Sequence, residues 1–145
     1  MKAPFQPTTC RCPADRSNCT RQPGHLLPGQ LEEILAHLGA SLADAARYFW
    51  NSPGMVIRTI EGLRRIRTIT PRFENGRCVF FTEDGLCGIH EVAPFGCRYF
   101  DVHMTAIKAQ KRSKWGAQQI LKQLWSYDAQ RDDLPEATHY EPKSF

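Results

Sequence analysis

Six cysteines stand in two groups of three: Cys10, Cys12 and Cys19 near the start, and Cys78, Cys87 and Cys97 after a gap of about sixty residues. Thiolates are soft ligands suited to zinc, copper(I) and iron–sulfur clusters. A tetrahedral zinc site needs four ligands, usually supplied as closely spaced pairs, because one tight turn can present two side chains. The spacings here are Cys-x1-Cys-x6-Cys and then Cys-x8-Cys-x9-Cys. They contain no Cys-x2-Cys pair and match no standard zinc-finger or ferredoxin interval. Two other readings stay open at this level. The cysteines could pair as disulfides, or Cys78 could pack as a small hydrophobe in a strand. Nearby histidines His25, His90 and His103 are reserve ligands, since imidazole is the commonest metal-binding side chain. Glu83, Asp84, Glu91 and Asp101 are the acids that a catalytic metal would recruit.

The elements that must hold these residues follow from local patterning. Residues 1–24 are rich in Pro, Cys and Thr and read as an irregular loop that a ligand would order. After Leu27-Pro28-Gly29, Leu31, Ile34, Leu35 and Leu38 recur at helical spacing, with Gly39 as the C-cap. Ser41 and Asp44 form a capping box for a second helix whose buried stripe is Leu42, Ala45, Ala46 and Phe49. Asn51-Ser52-Pro53-Gly54 is expected to stop it. Alternation from Ile66 to Thr70 fits a strand, and Asn75-Gly76 is a tight hairpin turn leading into a return strand, Cys78–Phe81. A further turn at Glu83-Asp84-Gly85 precedes Cys87. A long helix is expected from about Met104 to Tyr127, with Ile107, Trp115, Ile120, Leu121, Leu124 and Trp125 on its apolar face and Gly116 as a weak point. The fold class is therefore small α+β, mainly helical, with a short β-hairpin and irregular cysteine-bearing loops around a metal site. Residues 1–130 form one domain, and 131–145 a poorly ordered acidic tail.

The segment from Cys78 to Arg98 resembles the YkgJ-type cysteine-cluster family, described as a zinc- or iron-chelating domain. The carrying residues are Cys78-Val79-Phe80, Gly85-Leu86-Cys87-Gly88-Ile89-His90 and Ala93-Pro94-Phe95-Gly96-Cys97-Arg98. Cys10, Cys12, Cys19 and Leu26-Leu27-Pro28 occupy the places of the family's N-terminal cysteine group and helix start. Three departures stand out: Asn18 precedes Cys19 where the family has a doubled cysteine, His90 replaces a Tyr, and Ala93 replaces an Arg. The resemblance implies a metal site built from Cys10, Cys19, Cys78, Cys87 and Cys97, with Cys12 the weakest member and His90 able to fill a gap. It also implies an iron–sulfur cluster or zinc as cofactor. Through relatives linked to flagellin lysine methylation or labelled iron–sulfur oxidoreductases, it implies an enzymatic alternative.

Composition sets the outer bounds. At 145 residues, 41% hydrophobic and 23% charged, the chain has the makeup of one folded domain. It carries no apolar run of the ~20 residues needed to span a bilayer and no signal-like N-terminus, so a cytoplasmic, thiol-reducing location is expected. No nucleotide-binding glycine motif is present. The net charge of +4 is unevenly spread: six arginines lie between Arg58 and Arg77, and five Lys or Arg with no acid lie between His103 and Tyr127. Such asymmetry could meet an acidic protein or nucleic acid. A solvated surface is the plainer reading, and nucleic acid is disfavoured because no recognised binding motif accompanies the charge. A basic last helix bearing Lys111, Arg112, Trp115 and Trp125 could instead dock a larger partner, with the metal purely structural.

Overall fold

The computed structural model describes residues 3–8, 24–85 and 87–137. Cys10, Cys12 and Cys19 lie outside the described residues. The architecture is α+β: helix α1 (Gln30–Leu38), a 3-10 helix (Leu42–Arg47), strands β1 (Phe49–Thr59) and β2 (Gly62–Pro71), and a minimal hairpin of β3 (Phe73–Glu74) and β4 (Arg77–Cys78). A 3-10 turn (His90–Val92) and one-turn helix α2 (Phe95–Arg98) follow, then α3 (Ala106–Lys122) and α4 (Leu124–Asp132).

Helix α1 buries Leu31, Ile34 and Leu35 at the expected spacing and ends on Gly39 in the left-handed conformation. The expected second helix is shorter and tighter. It is a 3-10 segment in which the Asp44 carboxylate accepts from the Ser41 backbone N–H at 3.0 Å and from its hydroxyl at 3.1 Å. Those donors hold the Asp44 carboxyl below its ordinary range. Of its expected stripe, Ala45 and Phe49 are buried, whereas Leu42 and Ala46 are exposed. A 3-10 turn does not keep the 3.6-residue face on which that stripe was read.

Asn51-Ser52-Pro53-Gly54 does not end an element. It lies inside β1, where the register against β2 shifts between Ser52 and Met55. Proline cannot donate to a ladder, and glycine takes positive φ, so this pair is accommodated as a bulge. Gly54 has φ 84°, and a Cβ there would lie 1.9 Å from the Ile66 carbonyl oxygen. The main hairpin is thus β1–β2, turning at Ile60-Glu61, and it is longer than expected. The Asn75-Gly76 turn is present, with φ of 55° and 76°, but its return strand is only Arg77-Cys78.

The single long C-terminal helix is two. The break falls at Gln123 (φ −126°) and not at Gly116, which is buried within α3. Arg112, Gly116, Ala117 and Ile120 form the buried face of α3, while Ile107 and Trp125 point to solvent. Residues 131–137, assigned above to a poorly ordered tail, instead finish α4 and lie along β1. Asn51 N–H donates to Pro135 O at 2.8 Å, and Ala137 N–H to Asn51 O at 2.8 Å. The acidic composition masked a backbone docking that needs no side-chain signature.

One core joins the sheet base to the helices: Leu26, Leu27, Leu31, Ile34, Phe49, Met55, Ile69, Ile89, Phe95, Ile120 and Tyr127. Each fully buried apolar side chain of this size contributes about 1.5–3 kcal/mol. The Tyr127 hydroxyl donates to Leu26 O at 2.7 Å and accepts from Ile69 N–H at 2.8 Å, tying α4 to β2 and to the segment before α1. Burial pushes this phenol well above its ordinary range. No helix among the described residues is long and apolar enough to cross a membrane.

Candidate metal centre

Cys97 sits on α2, a single turn started by Pro94, and several elements converge to fix it. Buried Gln30 uses one carbonyl oxygen to accept from both Leu27 N–H and Phe95 N–H, each at 2.9 Å. That bracket joins the start of α1 to the first residue of α2. Phe95 is fully buried within an aromatic group: Tyr99 at 5.0 Å, Trp115 at 5.5 Å and Phe100 at 5.6 Å between ring centroids. Phe5 joins this group from the N-terminal stretch, 5.4 Å from Trp115. Arg112, read from sequence as part of a basic surface, is buried. Its guanidinium donates to Tyr99 O at 2.7 Å and Gln6 O at 3.2 Å, and it lies 5.0 Å from the Phe5 ring centre. Five donors in a rigid fork suit it to tying two chain segments through their carbonyls.

Both flanks of the N-terminal cysteine segment reach this turn. On one side, Thr8 N–H donates to Arg98 O at 2.9 Å. On the other, Gly24 N–H donates to Cys97 Sγ at 3.2 Å, and Gly96 N–H to His25 O at 3.1 Å. A backbone donor aimed at sulfur is best matched when the sulfur carries negative charge. The approach is close enough to demand glycine on both sides. A Cβ on Gly24 would lie 2.5 Å from Cys97 N, and one on Gly96 would lie 2.6 Å from His25 N.

The other two described cysteines sit differently. Cys78 belongs to the hydrophobic core, at the end of β4. Cys87 is half-buried and pairs with Phe81 across the turn formed by Glu83-Asp84-Gly85. Burial pushes the Cys87 thiol up, opposed by a hydrogen bond from the Ile89 backbone. Cys97 is exposed. Among the described residues, no three His, Cys, Asp or Glu side chains are grouped so as to hold a metal ion.

The reserve residues are spread out. The His25 ring is buried, with Nδ1 2.6 Å from Thr68 Oγ1, and Thr68 is in turn 2.7 Å from Ser52 Oγ, so it is the His25 backbone that meets the Cys97 turn. His90 and His103 are exposed, as are Glu83, Asp84 and Glu91, while Asp101 accepts from His103 N–H at 2.8 Å. Arg98 lies 5.9 Å from the Tyr99 ring centre. Sequence reasoning missed Gln30, Gly24, Gly96 and the interior role of Arg112. Only Gly96, beside a cysteine in a Pro-x-Gly-Cys turn, carried a local signal. No family model, no curated protein and no solved structure matches this chain.

Proposed function

We propose that this chain is a cysteine-cluster metal-binding protein, holding zinc or an iron–sulfur cluster through cysteines from both parts of the sequence, with Cys97 as the donor around which the site is arranged. The observation that supports it most is the pinning of both flanks of the N-terminal cysteine segment to residues 96–98. Cys10 is two residues beyond Thr8 and Cys19 five before Gly24. An extended chain can carry their Cα atoms at most about 7 Å and about 18 Å from those anchors. Chain connectivity alone therefore limits how far Cys10 and Cys19 can be from these anchors, and Cys12 lies between them in sequence. Cys78 and Cys87 enter the proposal through their place in the sequence pattern.

A bound metal would supply positive charge to gathered thiolates, which repel one another without it, and metal affinity of this kind is also folding energy. It would cross-link the two cysteine groups and close a loop of about sixty residues, removing that loop's entropy from the unfolded chain. Purification without oxygen, followed by an absorption spectrum and metal analysis, tests this reading. Stoichiometric zinc in a colourless protein, or iron with sulfide in a brown one, is expected. A metal-free protein whose six thiols are paired in disulfides overturns it.

A further inference from the structure

Beyond the metal site, the β1–β2 hairpin divides into a clamped base and a bare arm. At the base, one edge is paired with Pro135–Ala137 and the other is held by Leu26 and the Tyr127 hydroxyl. From Val56 to Arg65 every residue is exposed or half-buried, although the strands remain paired to Thr59 and Gly62. Between Val56 and Ile60 the arm extends about 13 Å at ~3.3 Å per residue. It carries Arg58, Arg64 and Arg65 against one acid, Glu61, and none of the three arginines makes an ion pair with a described residue. Arg67, nearer the base, is 3.6 Å from Glu136.

The register decides how the charge is displayed. Val56 opposes Arg65, Ile57 opposes Arg64, and Arg58 opposes Leu63. Residues directly opposite share a face, and successive pairs alternate. Arg58 and Arg65 therefore lie on one face with Val56 and Leu63, and Arg64 on the other. Ile60 at the turn is fully exposed and Leu63 is 72% exposed. A flat acidic protein surface would engage one face only. Cations on both faces of a narrow ribbon match a groove bounded by phosphates on either side. A two-stranded ribbon fits the ~12 Å major groove of B-form DNA, where apolar side chains also meet thymine methyl groups. The deep, narrow major groove of duplex RNA does not admit it. All the arm's cations are arginine, whose fork pairs with phosphate at two points.

We propose that the β1–β2 arm binds double-stranded DNA through its major groove, with Arg58, Arg64 and Arg65 on phosphates or base edges and Ile60 and Leu63 leading into the groove. Nucleic acid is disfavoured at the level of sequence because no recognised binding motif accompanies the charge; the placement of Arg58, Arg64 and Arg65 on an exposed two-stranded ribbon changes that.

The test is fluorescence anisotropy of a labelled mixed-sequence DNA duplex of about 20 bp, titrated with the full chain between about 50 and 200 mM salt. Binding is expected with a log–log salt slope of about −3, set by three phosphate contacts at ~0.9 each. The triple variant Arg58→Gln, Arg64→Gln, Arg65→Gln should bind at least about tenfold more weakly with a slope near zero. Ile60→Asp should also weaken binding. Lys111→Gln with Lys114→Gln, on the exposed side of α3, should leave binding unchanged. Circular dichroism checks that each variant is folded. Absence of binding at low salt, equal binding by the triple variant, or tighter binding to duplex RNA, polyglutamate or phosphatidylserine vesicles would each overturn the proposal.

Discussion

Replacing Gly96 by alanine sets two effects of opposite sign against each other. Alanine is the better helix former by up to about 1 kcal/mol, and Gly96 lies in α2, so local propensity alone favours the variant. The added methyl, however, would lie 2.6 Å from His25 N, 2.8 Å from Gly24 Cα and 3.1 Å from Gly24 C, all backbone atoms. Ordinary contact needs about 3.4 Å or more, so the two chains must part. Forced separation of packed groups costs about 1–3 kcal/mol. Parting also weakens the Gly96–His25 and Gly24–Cys97 hydrogen bonds, each contributing about 1 kcal/mol. The net expectation is a loss of about 2 kcal/mol. With a urea m-value of about 2 kcal/mol per molar for a chain of this size, the unfolding midpoint should fall by about 1 M. Gly24→Ala should behave alike, because its Cβ would meet Cys97 N at 2.5 Å. Urea unfolding followed by circular dichroism reads both. A Gly96→Ala protein as stable as the wild type, or more so, would refute the close approach of the two segments.

Other outcomes follow from the same geometry. Tyr127→Phe leaves buried Ile69 N–H and Leu26 C=O without the hydroxyl and should cost about 2–4 kcal/mol in denaturant unfolding. Because burial raises the Tyr127 pKa above its unfolded value of about 10, its protonated form stabilises the fold fully below about pH 10, and this contribution is lost as pH rises through the folded pKa. The wild type should therefore lose stability above about pH 10, and Tyr127→Phe should show a shallower alkaline slope. Gly54→Ala places a methyl 1.9 Å from Ile66 O at a positive φ and should cost roughly 3 kcal/mol or more, read as a lowered melting temperature. Asp44, whose pKa is lowered by the Ser41 backbone and then its hydroxyl, stabilises its turn above the unfolded carboxylate pKa and stops doing so as pH falls through the folded one. Asp44→Asn should speed hydrogen exchange of the Ser41 amide at neutral pH and abolish that pH dependence.

What could be read from sequence was what local chemistry determines. Helix α1, its glycine cap, the Ser41–Asp44 box and the Asn75-Gly76 turn are each specified by a few adjacent residues. Errors arose where distant backbone decided the outcome. Pro53-Gly54 has the composition of a turn and becomes a bulge only because β2 lies alongside. The acidic stretch from residue 131 reads as a poorly ordered tail, yet Pro135 and Ala137 form backbone hydrogen bonds with Asn51. Arg112 reads as surface charge until the Tyr99 and Gln6 carbonyls are placed around it. The cysteines show the same division. Their types pointed to a soft-metal site and left open that Cys78 packs in the core, as it does, but spacing could not reveal that Cys97 is exposed or that Gly24 and Gly96 let the backbone at Gly24-His25 approach the Cys97 turn.

The claim that Cys97 shares one metal with the N-terminal cysteines is tested most directly by mapping thiol alkylation on the native, anaerobically purified protein, with and without a chelator. An exposed thiol outside any site reacts rapidly. The account predicts that Cys97, Cys10 and Cys19 are protected together and become reactive together when the metal is removed. Rapid labelling of Cys97 in the untreated protein, unchanged by chelator, would contradict it.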